Sequence, residues 1–493
     1  MPALALRLLP LRALSERRTV VAIFALLFGA LACAGATFRI TDPDVWWIAA
    51  AGRDMLASGH VPHVNGYAFT DAARPWVMHE WLYGVLLASG ADRLGPAFFA
   101  LAGVLFGTLT AALAIAFTVG HARRLAAAAL SLLVLAPIAA SFYGPRPSFA
   151  SLALALAMMH VAFTPHWSRA RGASAVALEW VWTQLHGSFP LGIVILLAAT
   201  AEHARDRTRG SRAWTTIGAA LVTLLNPYGP RLHGLVGHYL TGDDEAGHMI
   251  HETIEEFQPL WRAGPVWASP PAILALGAVV ALAVSALAHR RHMVRGAFVI
   301  VLAAMAIAQA RHAAPAIVIG SALLVVEIDD LVDGAALPAI APARAWSLVA
   351  MILAPGLLAS TALWARAQRS RSAGAWIDDS LGGASVLTFA RSLPDGARVY
   401  APFAPSAVVL WGAAPRGVRV FFDPRNDCYS ADVFRASAAV ATDAHADRLL
   451  VERGTDWAIV PETTRTFGAL ARSPLWARVA SDDGWSLFQS AAR

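Results

Sequence analysis

Two aspartates separated by one proline, Asp42-Pro43-Asp44, are the residues in this chain best equipped for chemistry. A carboxylate held at a helix start by a stiff proline can act as general base on an incoming nucleophile. Alternatively, Asp42 and Asp44 share a divalent cation, Mg or Mn, that neutralises phosphate. The plainer reading is that Asp42 caps the following helix. Further polar groups recur between apolar runs: His79-Glu80-Trp81, Arg146-Pro147-Ser148, His186-Gly187, Asn226-Pro227-Tyr228-Gly229 and Arg311-His312. The Asn226–Gly229 segment reads first as a stop and turn.

The elements that must position these groups are membrane spans. The 493 residues are 57% hydrophobic and 15% charged, where soluble domains carry roughly 25% charged residues. Eleven apolar runs read as spans: Val20 to Phe38, Ala97 to Val119, Leu125 to Phe142, Phe149 to Phe163, Ala173 to Leu185, Leu191 to His203, Trp214 to Leu225, Ala268 to Ala288, Ala297 to Ala310, Ala314 to Val326 and Trp346 to Leu363. The first reads as an uncleaved signal anchor, since further runs follow it. Trp81 to Ser89 is apolar but too short to span, and reads as an interfacial or re-entrant helix. Arginine supplies all the basic charge, and it clusters in every second loop: Arg17-Arg18, Arg123-Arg124, Arg169 and Arg171, Arg205 to Arg212, Arg290-Arg291. The positive-inside rule puts these loops in the cytoplasm. The formal charge of +6 therefore does not point to nucleic acid. Every polar group named above then falls on the non-cytoplasmic face, in or beside the long outer loops 39–96 and 226–267. Polar residues gathered at one membrane face usually line a cavity. Cys33 and Cys428 are not expected to pair.

From about Ser372 the composition changes. Short β-like runs (Ala397 to Tyr400, Val418 to Phe422, Trp457 to Val460, Trp485 to Gln489) alternate with helical stretches at Ala431 to Val440 and Ala444 to Arg453. The expected architecture is mainly α: a polytopic bundle over residues 1–371, then a small extracytoplasmic α/β domain over 372–493.

From Asp44 the chain reads D-V-W-W-I-A-A-A-G-R-D-M-L-A-S-G, and from His79 H-E-W-L-Y-G. This resembles the first outer loop of the GT-C superfamily, multispanning glycosyltransferases that use polyprenyl-phosphate sugars and include the protein mannosyltransferases and the lipid A aminoarabinose transferases. Asp44 falls on the motif aspartate, with Arg53, Met55, Leu56, Ser58 and Gly59 in register; His79, Leu82 and Tyr83 fall on the H-P-P-L-Y segment. A bacterial branch carrying D-P-D-x-W-W, R-P, H-G-x-F, N-P-Y-G and a soluble C-terminal domain is similar over nearly the whole chain. Val45 stands where the superfamily has a second acid, Glu80-Trp81 replace its paired prolines, and Ile48 replaces the branch's histidine.

The resemblance implies that Asp44 deprotonates an acceptor on a lipid, glycan or protein, which then displaces polyprenyl phosphate from the sugar. Cations near the departing phosphate would come from Arg146, Arg231 and Arg311 with His79, His186 and His312, since arginine grips phosphate bidentately; each arginine singly also reads as a snorkelling side chain. Glu80 and Asp42 complete the candidate set. Glu252, Glu255 and Glu256 lie on a loop that in the superfamily closes over the donor, or form a solvated acidic helix. Glu179, inside a span, is expected to pair with Arg or His across the bundle. Asp423-Pro424-Arg425-Asn426-Asp427 reads as a structural turn. Two rival functions remain: a transporter of envelope glycans, which should show inverted repeats and midplane charges, and a non-catalytic scaffold binding a lipid-linked glycan.

Overall fold

A computed structural model describes residues 39–135, 144–264, 267–332 and 372–491, with isolated positions at 138, 358 and 362. The runs expected at Val20 to Phe38 and Trp346 to Leu363 lie outside the described residues, those two isolated positions apart. Fourteen helices precede residue 333 among the described residues: α1 (Asp44–Ser58), α2 (Trp81–Leu94), α3 (Ala97–His121), α4 (Leu125–Leu135), α5 (Pro147–Ala162), α6 (Arg169–Leu185), α7 (Pro190–Glu202), α8 (Arg209–Val222), α9 (Pro230–Thr241), α10 (Glu245–Thr253), α11 (Pro270–Ala288), α12 (Met293–Ala308), α13 (Ala313–Leu323) and α14 (Val325–Leu331).

Prolines set several of these starts. Pro147, Pro190, Pro230 and Pro270 each occupy the first turn, where the missing N–H costs nothing and φ is already helical. The bundle presents large apolar side chains outward: Leu133 on α4, Leu197 on α7, Leu274 (75% exposed) on α11 and Val301 on α12. Water would not tolerate such a girdle, whereas lipid does, and the protein is membrane-embedded. Two helices, α3 and α11, are long and apolar enough to cross a membrane by themselves. The other apolar helices of the bundle run to 17 residues or fewer, short of the roughly 20 residues a hydrocarbon core asks for. The expected count of eleven spans is therefore not met by helix length among the described residues.

The short apolar stretch after His79 is a helix, α2, wedged between α1 and α3 rather than lying free at an interface. Two glycines allow this. A Cβ on Gly52 of α1 would sit 2.0 Å from the Gly84 carbonyl oxygen, and one on Gly84 would sit 2.8 Å from the Ile48 carbonyl. Backbone therefore lies against backbone, as small residues permit between packed helices. α1 is buried almost all round, with Trp46, Ile48, Ala49 and Ala51 inaccessible.

The C-terminal part has a five-stranded sheet in the order β2-β1-β3-β5-β4, built from Arg398–Tyr400 (β1), Arg419–Val420 (β2), Trp457–Pro461 (β3), Trp476–Asp482 (β4) and Trp485–Ser490 (β5). β1 pairs parallel with β2 and β3, while β5 pairs antiparallel with β3 and β4. Helices α15 (Gly383–Ser392), α16 (Phe403–Ala413), α17 (Ala431–Thr442), α18 (Ala446–Glu452) and α19 (Arg465–Arg472) complete it. It is joined to the first outer loop by backbone bridges Ile40–Ile377 and Ala68–Val420. Trp411 of α16 meets Trp46 and Phe99 edge to face at 5.9 and 5.4 Å, and the Arg53 guanidinium stacks on its ring at 3.3 Å.

The Asp423–Asp427 turn is the deepest of these joints. Arg425 Nε donates to Asp423 Oδ1 at 2.8 Å, and Nη2 donates to Asp423 Oδ2 at 2.6 Å and to Asn65 Oδ1 at 2.9 Å. The guanidinium lies over the rings of Trp76 and Tyr67 at 4.7 and 4.9 Å. Neither Arg425 nor Asp423 is accessible to solvent from its side chain. Removing one partner of a dry ion pair strands the other, at a cost of about 3–5 kcal/mol. Arg425→Ala is thus expected to lower the thermal-unfolding midpoint of the detergent-solubilised protein and expose the first outer loop to proteolysis; an unchanged midpoint would show that the joint contributes nothing.

Candidate active site

Five segments far apart in sequence bring their charged side chains together at one end of the bundle. The first is the 42–44 turn. Asp42 Oδ1 accepts the Asp44 backbone N–H at 2.9 Å, so Asp42 does brace the helix start. Its other oxygen pairs with Arg146 Nε. Asp44 receives Trp47 Nε1–H at 3.1 Å on Oδ1 and Arg146 Nη2–H at 2.9 Å on Oδ2. Arg146 precedes α5 and owes its position partly to α2, whose Tyr83 hydroxyl donates to the Pro145 carbonyl at 2.8 Å. The third partner of Arg146 is Glu256, at 3.4 Å from Nη1.

Glu256 bridges onward to Arg311, at 3.7 Å. It lies in the short 3-10 turn Glu255–Phe257 after α10 and faces the site, whereas Glu255 and, at the end of α10, Glu252 are exposed. Arg311 rests on the Phe257 ring at 4.4 Å, and Glu256 is its one carboxylate partner among the described residues. Arg146, by contrast, is saturated by three carboxylates.

Beside this chain sits a second cluster. His79 Nε2 lies 3.2 Å and His186 Nε2 3.8 Å from Glu80 Oε1. His186 Nδ1 is 2.9 Å from Ser151 Oγ and 2.8 Å from Ser188 Oγ, and Trp182 Nε1–H donates to Ser151 at 3.0 Å. Trp81 Nε1–H donates to Gln184 at 3.2 Å, fastening α2 to the end of α6 where His186 follows. The two remaining expected residues stand differently. His312 adjoins Arg311 in the turn between α12 and α13. Arg231, second residue of α9, is exposed and has no side-chain hydrogen bond or ion pair among the described residues; the fold does not bring it to the cluster.

Electrostatics divides the labour. Burial, reinforced by the Asp42 carboxylate and opposed by Arg146, pushes Asp44 up to about 7. Burial likewise raises Asp42, against the pull of Arg146. Glu80 goes the other way: burial would raise it, but the His79 imidazole holds it below the usual carboxylate range. His79 is correspondingly raised, since Glu80 outweighs the effect of burial. Burial drives His186 down to about 3 and His312 down to about 4, so both are neutral near pH 7 and supply hydrogen bonds rather than charge. The permanent cations at this site are Arg146 and Arg311, and Glu80 favours the charged form of His79.

Asp42 and Asp44 do not suit an Mg or Mn ion in this arrangement, because the Arg146 guanidinium already occupies the space between their outer oxygens. Donor atoms of His79, Glu80 and His186 do fall within 4.8 Å of one another, but two imidazoles and a carboxylate are a transition-metal set, not the oxygen shell that Mg prefers. Sequence reasoning left Glu256 between two readings and gave no role at the site to Phe257 and Tyr239, whose rings face Arg311 at 4.4 and 5.9 Å, or to Trp267, whose ring faces Arg146 at 5.7 Å; the length and acidity of the 226–267 loop were the signals available. Inside the bundle, Glu179 is fully buried and neither carboxylate oxygen has a hydrogen-bond partner among the described residues, so the expected pairing with Arg or His is not formed there. The Gly192 backbone packs against it instead.

A carboxylate titrating near neutrality is directly observable. Infrared difference spectra of wild type minus Asp44→Asn are expected to show a protonated-carboxyl band lost with a midpoint near pH 7, and Arg146→Met should move that midpoint upward. A midpoint near 4 in wild type would refute this electrostatic picture.

No protein-family model matches the chain, and no curated protein matches it in sequence. Solved structures do match in fold. ArnT from Cupriavidus metallidurans in the apo state superposes with a TM-score of 0.53 at 15% identity, over 95% of this chain and 97% of that one. The same ArnT bound to undecaprenyl phosphate gives 0.49 at 17% identity, over 96% and 98%. The Archaeoglobus fulgidus oligosaccharyltransferase in its apo form gives 0.51 at 11% identity, over 90% of this chain and 69% of that one. The chain shares its fold with ArnT from Cupriavidus metallidurans and with the Archaeoglobus fulgidus oligosaccharyltransferase.

Proposed function

We propose that this protein is a membrane glycosyltransferase that moves a sugar from a polyprenyl-phosphate donor to an extracytoplasmic acceptor. The observation that carries the proposal is the convergence of Asp42, Asp44, Arg146, Glu256 and Arg311 in one charged chain. The basic loops at the opposite ends of the helices support a location for that chain on the outer face of a bacterial cytoplasmic membrane, with the N-terminus inside and the C-terminal α/β part outside.

The reaction needs a base at the acceptor and positive charge at the leaving group. Asp44, titrating near 7, takes the proton from the acceptor hydroxyl or amine. The acceptor oxygen or nitrogen forms its bond to the anomeric carbon as the bond from that carbon to the phosphate oxygen breaks, and the electron pair leaves with the phosphate. Arg311 is the better placed cation to receive it, because its single carboxylate contact is long. Arg146 instead fixes Asp44 in orientation, and Asp42 positions that arginine. No metal ion is required at Asp42 or Asp44 for these steps. His79, Glu80 and His186 form a polar wall that could hold the sugar hydroxyls.

The transporter reading is supported less: the ion pairs linking residues 39–96 to 226–267 lie at one end of the bundle, and Glu179 is the carboxylate inside it that would favour that reading. The scaffold reading differs from ours only in turnover. Purified protein given polyprenyl-phosphate sugars should lose about 10²- to 10⁴-fold in transfer rate on Asp44→Asn, the range for a positioned base, with donor affinity little changed. Full activity in that variant, or donor binding without turnover in wild type, would reject the assignment.

A further inference from the structure

A second group of metal-ligating side chains lies at the other end of the bundle. His289 and His292, three residues apart, bracket the turn between α11 and α12; Glu327 and Asp330, also three apart, share one face of α14. On α3, Phe106 packs on Tyr83 beside the first site, and the helix then runs 15 more residues to His121 next to Arg123 of this end, about 22 Å at 1.5 Å per residue.

Their donor atoms converge. His292 Nε2 lies 3.2 Å from Asp330 Oδ2, and His289 Nδ1 lies 3.7 Å from Glu327 Oε1. Donor atoms of His292, Glu327 and Asp330 all fall within 4.8 Å of one another. One histidine and two carboxylates supply three positions of a tetrahedral zinc, whose bonds of about 2.0–2.2 Å put neighbouring donors roughly 3.3–3.5 Å apart, and leave the fourth to water.

An independent observation points to something missing. Glu327 is 1% exposed. Its Oε1 accepts from Ser285 Oγ at 2.7 Å, while Oε2 is buried with no hydrogen-bond partner among the described residues. The neighbouring acids are better served: Asp330 pairs with Arg123 and, at 3.7 Å, with Arg291, and Asp329 accepts the backbone N–H groups of Arg123 and Arg124 at 2.5 and 2.8 Å. Glu327 has no arginine among the described residues, only the exposed imidazole of His289. A buried carboxylate in that position is stabilised by a cation.

We propose that His292, Glu327 and Asp330, with His289 beside them, form a binding site for a divalent transition metal of zinc type, which clips the α11–α12 turn to α14. The site is independent of the sugar-transfer chemistry and separate from the outer His79–Glu80–His186 group.

The test uses full-length protein in detergent, stripped with chelator, titrated with zinc chloride and then measured for bound metal after desalting. Cobalt(II) serves as a spectroscopic substitute, its visible absorption reporting tetrahedral geometry. Wild type is expected to hold a zinc equivalent that Glu327→Gln and His292→Ala weaken by at least about tenfold, and that His79→Ala leaves in place. Glu327→Gln keeps the side chain's shape, so its loss of metal would not reflect misfolding. Retention of that equivalent in both Glu327→Gln and His292→Ala, or its loss in His79→Ala alone, would overturn the proposal.

Discussion

One guanidinium holds the candidate site together. Arg146 is shared between Asp42, Asp44 and Glu256, so it ties the first outer loop to the start of α5 and to the turn after α10. Three carboxylates this close would repel one another and take up protons without it. With it, Asp44 is left near neutrality instead of being driven to either extreme. The rest of the fold can be read as what brings those segments within reach of a single side chain.

Two kinds of packing do this. Within the bundle, Gly52 and Gly84 let α1 and α2 touch backbone to backbone; a side chain at either position would push Asp44 away from Arg146 before any charge was altered. Outside it, the Arg425–Asp423 pair and its bond to Asn65 fasten the C-terminal sheet domain onto the first outer loop. That loop carries the aspartates near its start and His79 and Glu80 further along. The C-terminal part thus serves as a brace for the loop that carries most of the charged groups, and the dry ion pair makes the brace stiff.

Much of this was legible in the sequence because it is local. Helix positions such as α3 and α11 follow from apolar runs and proline starts, and Asp44 stood out from its neighbours in the first outer loop. The strands at 398–400 and 457–461 show in their apolar β-branched and aromatic content, whereas β4 was missed because it is mostly exposed and its apolar residues do not alternate with polar ones. The partners within the site were harder. That Arg146 meets Glu256, or that Arg231 stands apart, depends on contacts between segments more than 80 positions distant or on the direction in which one helix turn faces. The neutral state of His186 likewise depends on burial that only packing reveals, so a residue expected to supply charge supplies hydrogen bonds.

The central claim is that Asp44 is a base tuned by Arg146 and Asp42, and the pH dependence of kcat/KM for sugar transfer tests it most directly. Because the base must be ionised in the free enzyme, the rate should rise with pH through a limb centred near 7. Replacing Asp42 with Asn removes a neighbouring negative charge and should shift that limb to lower pH. A profile flat from about pH 5 to 9, or a limb indifferent to Asp42, would contradict the account.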